Sequence, residues 1–218
     1  MKIGIIGAGQ IGGNLTRRLT GLGHQVSVAN SRGPETLGDL AAETGATPVA
    51  VTDAARDADV VIVAIPTKNV PDLPDGVLEA AAPGAAIVDT GNYYPQRDGR
   101  IADIEEGMPE SEWVSRELGR PVIKAFNNMY AHNLIDAARA EDDPERIALP
   151  IAGDDASAKS QVMAMVEELG FDAVDAGSLA DSWRQQSGTP SSGPELKADD
   201  LRTALSEARP QRPADMRG

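Results

Sequence analysis

The sequence predicts an α/β fold: a doubly wound, mainly parallel sheet with helices on both faces and a short C-terminal extension. Three observations carry this expectation. Short apolar runs recur at residues 2–6, 25–29, 59–65, 85–90, 121–126, 146–152 and 171–175, and helical spacing fills several of the gaps, the alternation that makes strands pair in parallel through crossovers. The first run, Lys2-Ile3-Gly4-Ile5-Ile6, leads through Gly7-Ala8-Gly9-Gln10-Ile11-Gly12 into a helical pattern and then a second apolar run. With 218 residues, 41% of them hydrophobic, the chain can bury a sizeable core. The main domain is expected over residues 1–179, with 180–218 as an extension ending in a frayed tail.

In chain order, the helix after the first strand is expected to bury Ile11, Leu15, Leu19 and Leu22 on one stripe, with Gly21 and Gly23 as its stop. Thr47 to Val51 reads as a short edge strand and Thr52 to Ala58 as a short helix. Residues 91–110 mix Gly, Pro and charge with little periodicity, so they stay open between a solvated loop and a flap beside a ligand. Residues 155–169 form a second clear helix burying Ala158, Val162, Met165 and Leu169. The stretch Glu207 to Gly218, with two prolines and three arginines, reads as the frayed tail. No internal repeat is visible.

Lys and Arg number 20 against 34 Asp and Glu, a net charge of -14, so no nucleic-acid or anionic-membrane partner is expected and any anionic ligand needs local groups to hold it. The absence of Cys excludes disulfides and thiolate chemistry, and two His leave little for zinc, so no metal site is expected. The first strand begins at residue 2 without a basic, apolar and cleavage pattern. No run approaches the roughly 18 apolar residues of a membrane span, and a cytoplasmic protein is expected. Asn14-Leu15-Thr16 fits a glycosylation acceptor but falls in an expected helix and is set aside.

The glycine run predicts a dinucleotide site on a Rossmann-type sheet. Gly7 permits the tight turn, Gly9 lets backbone approach a pyrophosphate, and Gly12 lets the helix pack close to the sheet. Gln10, Ile11 and Gly12 present free N–H groups and the positive end of the helix dipole. The bland alternative is a glycine-rich turn without a ligand. A P-loop is excluded because Gly13-Asn14 stands where Lys and Ser/Thr are required. NAD-preferring sites place a carboxylate at the end of the second strand, about 20 residues after the glycines. Here that position holds Asn30, followed by Ser31 and Arg32, groups that can bond a 2′-phosphate. Each charge-assisted bond to phosphate contributes roughly 1.5–3 kcal/mol, or about one to two decades of preference for NADP. The bland reading makes Arg32 an ordinary turn arginine before Gly33-Pro34.

The glycine run, Ala29-Asn30-Ser31-Arg32-Gly33, Val63-Ala64-Ile65-Pro66, Val88-Asp89-Thr90-Gly91-Asn92-Tyr93-Tyr94-Pro95, Lys124-Ala125-Phe126-Asn127-Asn128, Ala152-Gly153-Asp154-Asp155 and Asp175-Ala176-Gly177 together resemble a known family. They are similar to the NADP oxidoreductases dependent on the deazaflavin coenzyme F420, whose fold resembles the cytoplasmic NADPH domain of six-transmembrane ferric reductases. The likeness runs from Met1 to about Leu179. It implies NADP(H) as cofactor, coenzyme F420 or a flavin as second substrate, a small-molecule redox acceptor as partner, and a homodimer. It also implies that Ile65 and Pro66 flank the adenosine, that Asn127, Met129 and Ala131 surround the nicotinamide with the Ala131 backbone meeting the carboxamide, and that Asn92 belongs to the binding set. Read from the residues alone, Phe126 and Met129 could equally be core, and Asn127-Asn128 could cap the next helix.

Hydride transfer between bound rings needs proximity rather than acid–base groups, and no catalytic side chain is expected. The sequence carries no Ser-His-Asp order, His-Glu-x-x-His or Gly-x-Ser-x-Gly. His132 is open between proton donor and surface residue, and His24 reads as structural or exposed. Lys124 is open between a cofactor phosphate and an acidic neighbour. Tyr93 and Tyr94 are open between ring stacking and packing anchors. Ser182 to Pro190 departs from the apolar C-terminal helix of the archaeal deazaflavin enzymes, which leaves the acceptor open. Two alternatives stand beside this expectation. One is a reductase of a small imine or carbonyl, resembling pyrroline-5-carboxylate reductase, although that class needs a helical second domain and only about 40 residues follow Leu179. The other is a non-catalytic NADP-binding module.

Overall fold

The central apolar runs become strands buried on both sides, as a sheet covered by helices on each face requires. The structure, a computed structural model, describes residues 1–210. In chain order its elements are β1 (Lys2–Ile6), α1 (Gln10–Gly21), β2 (Gln25–Ala29), α2 (Gly38–Thr44), β3 (Thr47–Pro48), β4 (Val60–Val63), β5 (Ala86–Asp89), α3 (Pro95–Asp98), α4 (Ala102–Glu105), α5 (Glu110–Leu118), β6 (Ile123–Lys124), α6 (Asn133–Asp136), β7 (Ala148–Ile151), α7 (Ala156–Glu168), β8 (Asp172–Asp175) and α8 (Ala198–Glu207). Six strands pair in parallel in the order β3-β2-β1-β4-β5-β6, with Ile3 in register with Val26 and Val60. The α/β, Rossmann-type reading is therefore the observed fold.

Side-chain alternation builds two cores. Ile3, Ile5, Val28, Val60 and Ile62 face Leu15 and Leu19 of α1 and Val162, Met165 and Val166 of α7. Ile6, Val61, Val63 and Ile87 face Val70, Leu78, and Trp113 and Val114 of α5. α7 begins where the Asp155 carboxylate accepts from the N–H groups of Ser157 and Ala158, both at 2.9 Å. β7 and β8 form a separate parallel pair that joins the sheet through an antiparallel bridge, with Lys124 N–H donating to the Ala152 carbonyl at 2.8 Å. α8 seats Leu201 and Leu205 against Ala148 and Val174. A capping box opens the 3₁₀ segment Leu179–Gln185. The Ser178 hydroxyl, and then its N–H, hold the Asp181 carboxyl below the ordinary carboxylate range.

Several boundaries differ from the expectation. Leu22 is 38% exposed because α1 ends at Gly21 and Leu22 serves as its cap. The edge strand is only Thr47–Pro48, and residues 52–58 contain a single 3₁₀ turn, Val51–Asp53, followed by turns. β6 is only two residues, because Phe126 turns the chain with φ +63°. Residues 91–110 fold onto an aromatic anchor. Tyr93 is fully buried and its hydroxyl contacts the Gly99 carbonyl and Glu105 Oε1, each at 2.9 Å. The tail expected from Glu207 lies outside the described residues after 210.

Candidate dinucleotide-binding site

The chain leaves β1 at the centre of the sheet, between β2 and β4, where the connections diverge and a crevice opens at the carboxyl ends of the strands. The three glycines there have different reasons. At Gly7, with φ +108°, a side chain would meet the Ala64 carbonyl oxygen at 2.3 Å, and at Gly12 it would meet the Gly7 carbonyl oxygen at 1.8 Å. Packing alone explains both. A methyl group at Gly9 would meet nothing within 4 Å. Internal contacts do not require that glycine; it leaves open space directly in front of the first turn of α1. That turn has no acidic residue and no side-chain cap, so its N–H groups at Gln10, Ile11 and Gly12 face the opening with the positive helix end. A pyrophosphate fits this cradle.

A cleft of about 680 Å³ continues from the glycine loop. It unites Gly7 and Gly9 with Asn30, Ser31 and Arg32 on one side and Ile65 and Pro66 on the other. The Asn30 amide is committed to shaping the turn: its Oδ1 accepts from the Arg32 N–H at 2.9 Å, and its Nδ2 donates to Thr36 Oγ1 at 2.9 Å. The Thr36 hydroxyl in turn donates to the Gly33 carbonyl at 2.8 Å. Ser31 and Arg32 are exposed, and the Arg32 guanidinium has no hydrogen bond or ion pair among the described residues. At this end the side chains left open to a ligand among the described residues are therefore Ser31 and Arg32, while Asn30 and Thr36 shape the turn that carries them.

The other expected residues gather away from this cleft. Asn92 Nδ2 donates to the Asn127 carbonyl at 2.7 Å, and Asn127 Nδ2 donates to Asn92 Oδ1 at 3.0 Å and to the Gln185 carbonyl at 2.7 Å. Gln185, fully buried, returns Nε2 to Asn127 Oδ1 and to the Pro150 carbonyl, each at 3.0 Å. The amides of Asn92 and Asn127 thus tie three segments together. Neither Asn127 nor Asn128 caps α6, whose cap position is His132, without a side-chain bond. Phe126 is buried in a left-handed conformation, a strained turn of the kind that collects at functional sites. Met129 packs partly against the core, and the Ala131 carbonyl accepts from Asn14 Nδ2 of α1 at 2.8 Å.

The residues left open by the sequence now have settings. Lys124 is fully buried with Nζ 3.0 Å from Asp89 Oδ2, and it also donates to the Gly91 carbonyl, so its partner within the chain is the acidic neighbour. The same carboxylate accepts from Ser111 Oγ at 2.7 Å and from the Gly91 N–H at 2.8 Å. Tyr93 is a packing anchor. The Tyr94 ring lies under Arg97 at 5.1 Å and its hydroxyl accepts from Ser187 at 2.9 Å. His24 bridges the N-terminal amine and Glu168. His132 is exposed and stacked on Tyr130 at 5.8 Å. The sequence reading missed Thr36, Asn14 and Gln185, and the cleft residues Val51, Asn69, Asp72, Leu73 and Pro74. Their only shared signal is proximity in the fold.

The sequence profile of the NADP oxidoreductases dependent on coenzyme F420 matches residues 2–93, the stretch that builds the glycine loop, Arg32 and the cleft wall. The protein SMa0349 of Sinorhizobium meliloti is 32% identical, over 90% of this chain and 92% of its own, with a TM-score of 0.71. A candidate F420-dependent NADP-reductase from Arthrobacter sp. FB24 is 25% identical, over 84% of this chain and 87% of its own, with a TM-score of 0.68. The chain belongs to the coenzyme F420-dependent NADP oxidoreductase family. A shorter likeness, 46% identity over 59 residues, links this family member to protein YjhV of Escherichia coli K12; it covers 27% of this chain and 43% of YjhV. Among the described residues of this NADP oxidoreductase family member, no helix is long and apolar enough to cross a membrane.

Proposed function

We propose that this chain is an NADPH-linked oxidoreductase that exchanges hydride with a deazaflavin such as coenzyme F420, or with a flavin. The observation that carries the proposal is the cleft running from the open space at Gly9 to Arg32, whose guanidinium has no partner among the described residues. When bound, the nicotinamide supplies the hydride. The protein's part is to bind, orient and exclude water. The N–H groups of Gln10, Ile11 and Gly12 take the pyrophosphate, Ser31 and Arg32 take the 2′-phosphate, and Ile65 and Pro66 form the adenosine wall. At the other end Met129 and Ala131 border the nicotinamide. Because Asn14 already occupies the Ala131 carbonyl, the Ala131 N–H is the group that meets the carboxamide. Asn92 and Asn127 act through their mutual bonds, keeping that segment in place.

The experiment titrates the protein with NADPH and NADH, then mixes the NADPH complex with coenzyme F420 and, separately, with FMN under anaerobic conditions. NADPH-selective binding followed by bleaching of the deazaflavin or flavin band, with matching loss of reduced nicotinamide absorbance, is the expected result. Tight NADPH binding with neither acceptor reduced would remove the acceptor assignment and leave the dinucleotide site standing.

A further inference from the structure

On the proposed reading the glycine loop and Arg32 take the phosphates, which leaves the flat base of a dinucleotide the apolar lining that includes Val51, Ile65, Pro66, Leu73 and Pro74. Two polar side chains also line that part of the cleft, Asn69 and Asp72. They sit three residues apart on the 3₁₀ segment Thr67–Asp72, and positions i and i+3 of a 3₁₀ helix lie one above the other on the same side. Asn69 is half-buried and Asp72 exposed, and neither side chain has a hydrogen bond or ion pair among the described residues. A carboxylate only accepts, whereas a side-chain amide both donates and accepts. Adenine offers a matching edge, with its amino group donating beside a ring nitrogen that accepts.

The geometry points to Asn69 and Asp72 as readers of the adenine amino edge, so that the site discriminates between bases. This inference rests on the dinucleotide reading of the cleft. Asp72 accepts from the exocyclic amine and Asn69 donates to the neighbouring ring nitrogen. Hypoxanthine carries a carbonyl oxygen in place of the amine, which sets lone pairs against the Asp72 carboxylate. A carboxylate at a solvated rim gives the low end of the charge-assisted range, a discrimination of about tenfold.

Calorimetric titration of the full chain with NADPH and with its hypoxanthine counterpart, reduced nicotinamide hypoxanthine dinucleotide phosphate, tests this. The wild type should bind the adenine form about tenfold more tightly. In Asp72→Ala the ratio should fall to about one with the thermal midpoint unchanged. Asp72→Asn should regain affinity for the hypoxanthine form, because its amide can donate to the new oxygen. Equal wild-type affinity for the two, or a parallel loss of both in Asp72→Ala and Asn69→Ala, would overturn the inference while NADPH binding upheld the site. Failure of both dinucleotides to bind would overturn the site and the inference together.

Discussion

At the residue scale, Arg32 and Gly9 are distinguished by what they do not touch. Both are placed at the cleft, and among the described residues neither has an internal partner that accounts for it. Arg32→Ala is expected to raise the Kd for NADPH about 10- to 100-fold and leave NADH nearly unchanged, because the lost bonds go to a phosphate that NADH lacks. Equal losses in parallel titrations would count against the assignment. The glycines separate stability from binding. Gly9→Ala adds a methyl group in open space and should shift unfolding free energy by less than about 1 kcal/mol while weakening the dinucleotide. Gly12→Ala puts that methyl group 1.8 Å from the Gly7 carbonyl oxygen and should cost about 1–3 kcal/mol in urea denaturation. The two variants trading places would refute this division of roles.

At the element scale, the β1-α1-β2 unit was legible because its signals are local: continuous apolar strands, glycine punctuation, and a fixed offset from the fingerprint to Arg32. α5 was not legible. Two of its first residues are polar yet buried, Glu110 and Ser111. They serve the Tyr93 N–H and the Asp89 carboxylate rather than solvent, which leaves Trp113, Val114 and the partly buried Leu118 as a short apolar stripe. β6 is short because Phe126 leaves the extended region, a choice no propensity encodes. In the candidate site, Asn69 and Asp72 depended on where a 3₁₀ segment folds back, and Gln185 lies 58 residues from the Asn127 it holds. The buried Lys124–Asp89 pair at the ends of β5 and β6 was readable only as a question. Lys124→Met should destabilise the protein by about 3–5 kcal/mol, since it strands a carboxylate that is 3% exposed. A loss under about 1 kcal/mol in chemical denaturation would show that water reaches Asp89 after all.

At the scale of the whole molecule, the net charge of -14 surrounds a cleft proposed to take an anionic dinucleotide. The long-range field therefore opposes an approach that Arg32 favours only at short range. Raising ionic strength from about 0.01 to 0.15 M shortens the screening length from about 30 to 8 Å, so the NADPH association rate should rise several-fold. A stopped-flow rate that falls throughout would show the local guanidinium dominating at distance. The amide knot of Asn92, Asn127 and Gln185 has a temporal consequence as well. A ribosome delivers the glycine loop and Arg32 early, but Gln185 only about 150 residues afterwards. Until Gln185 has been made, the segment from Phe126 to Ala131 lacks the residue that locks it.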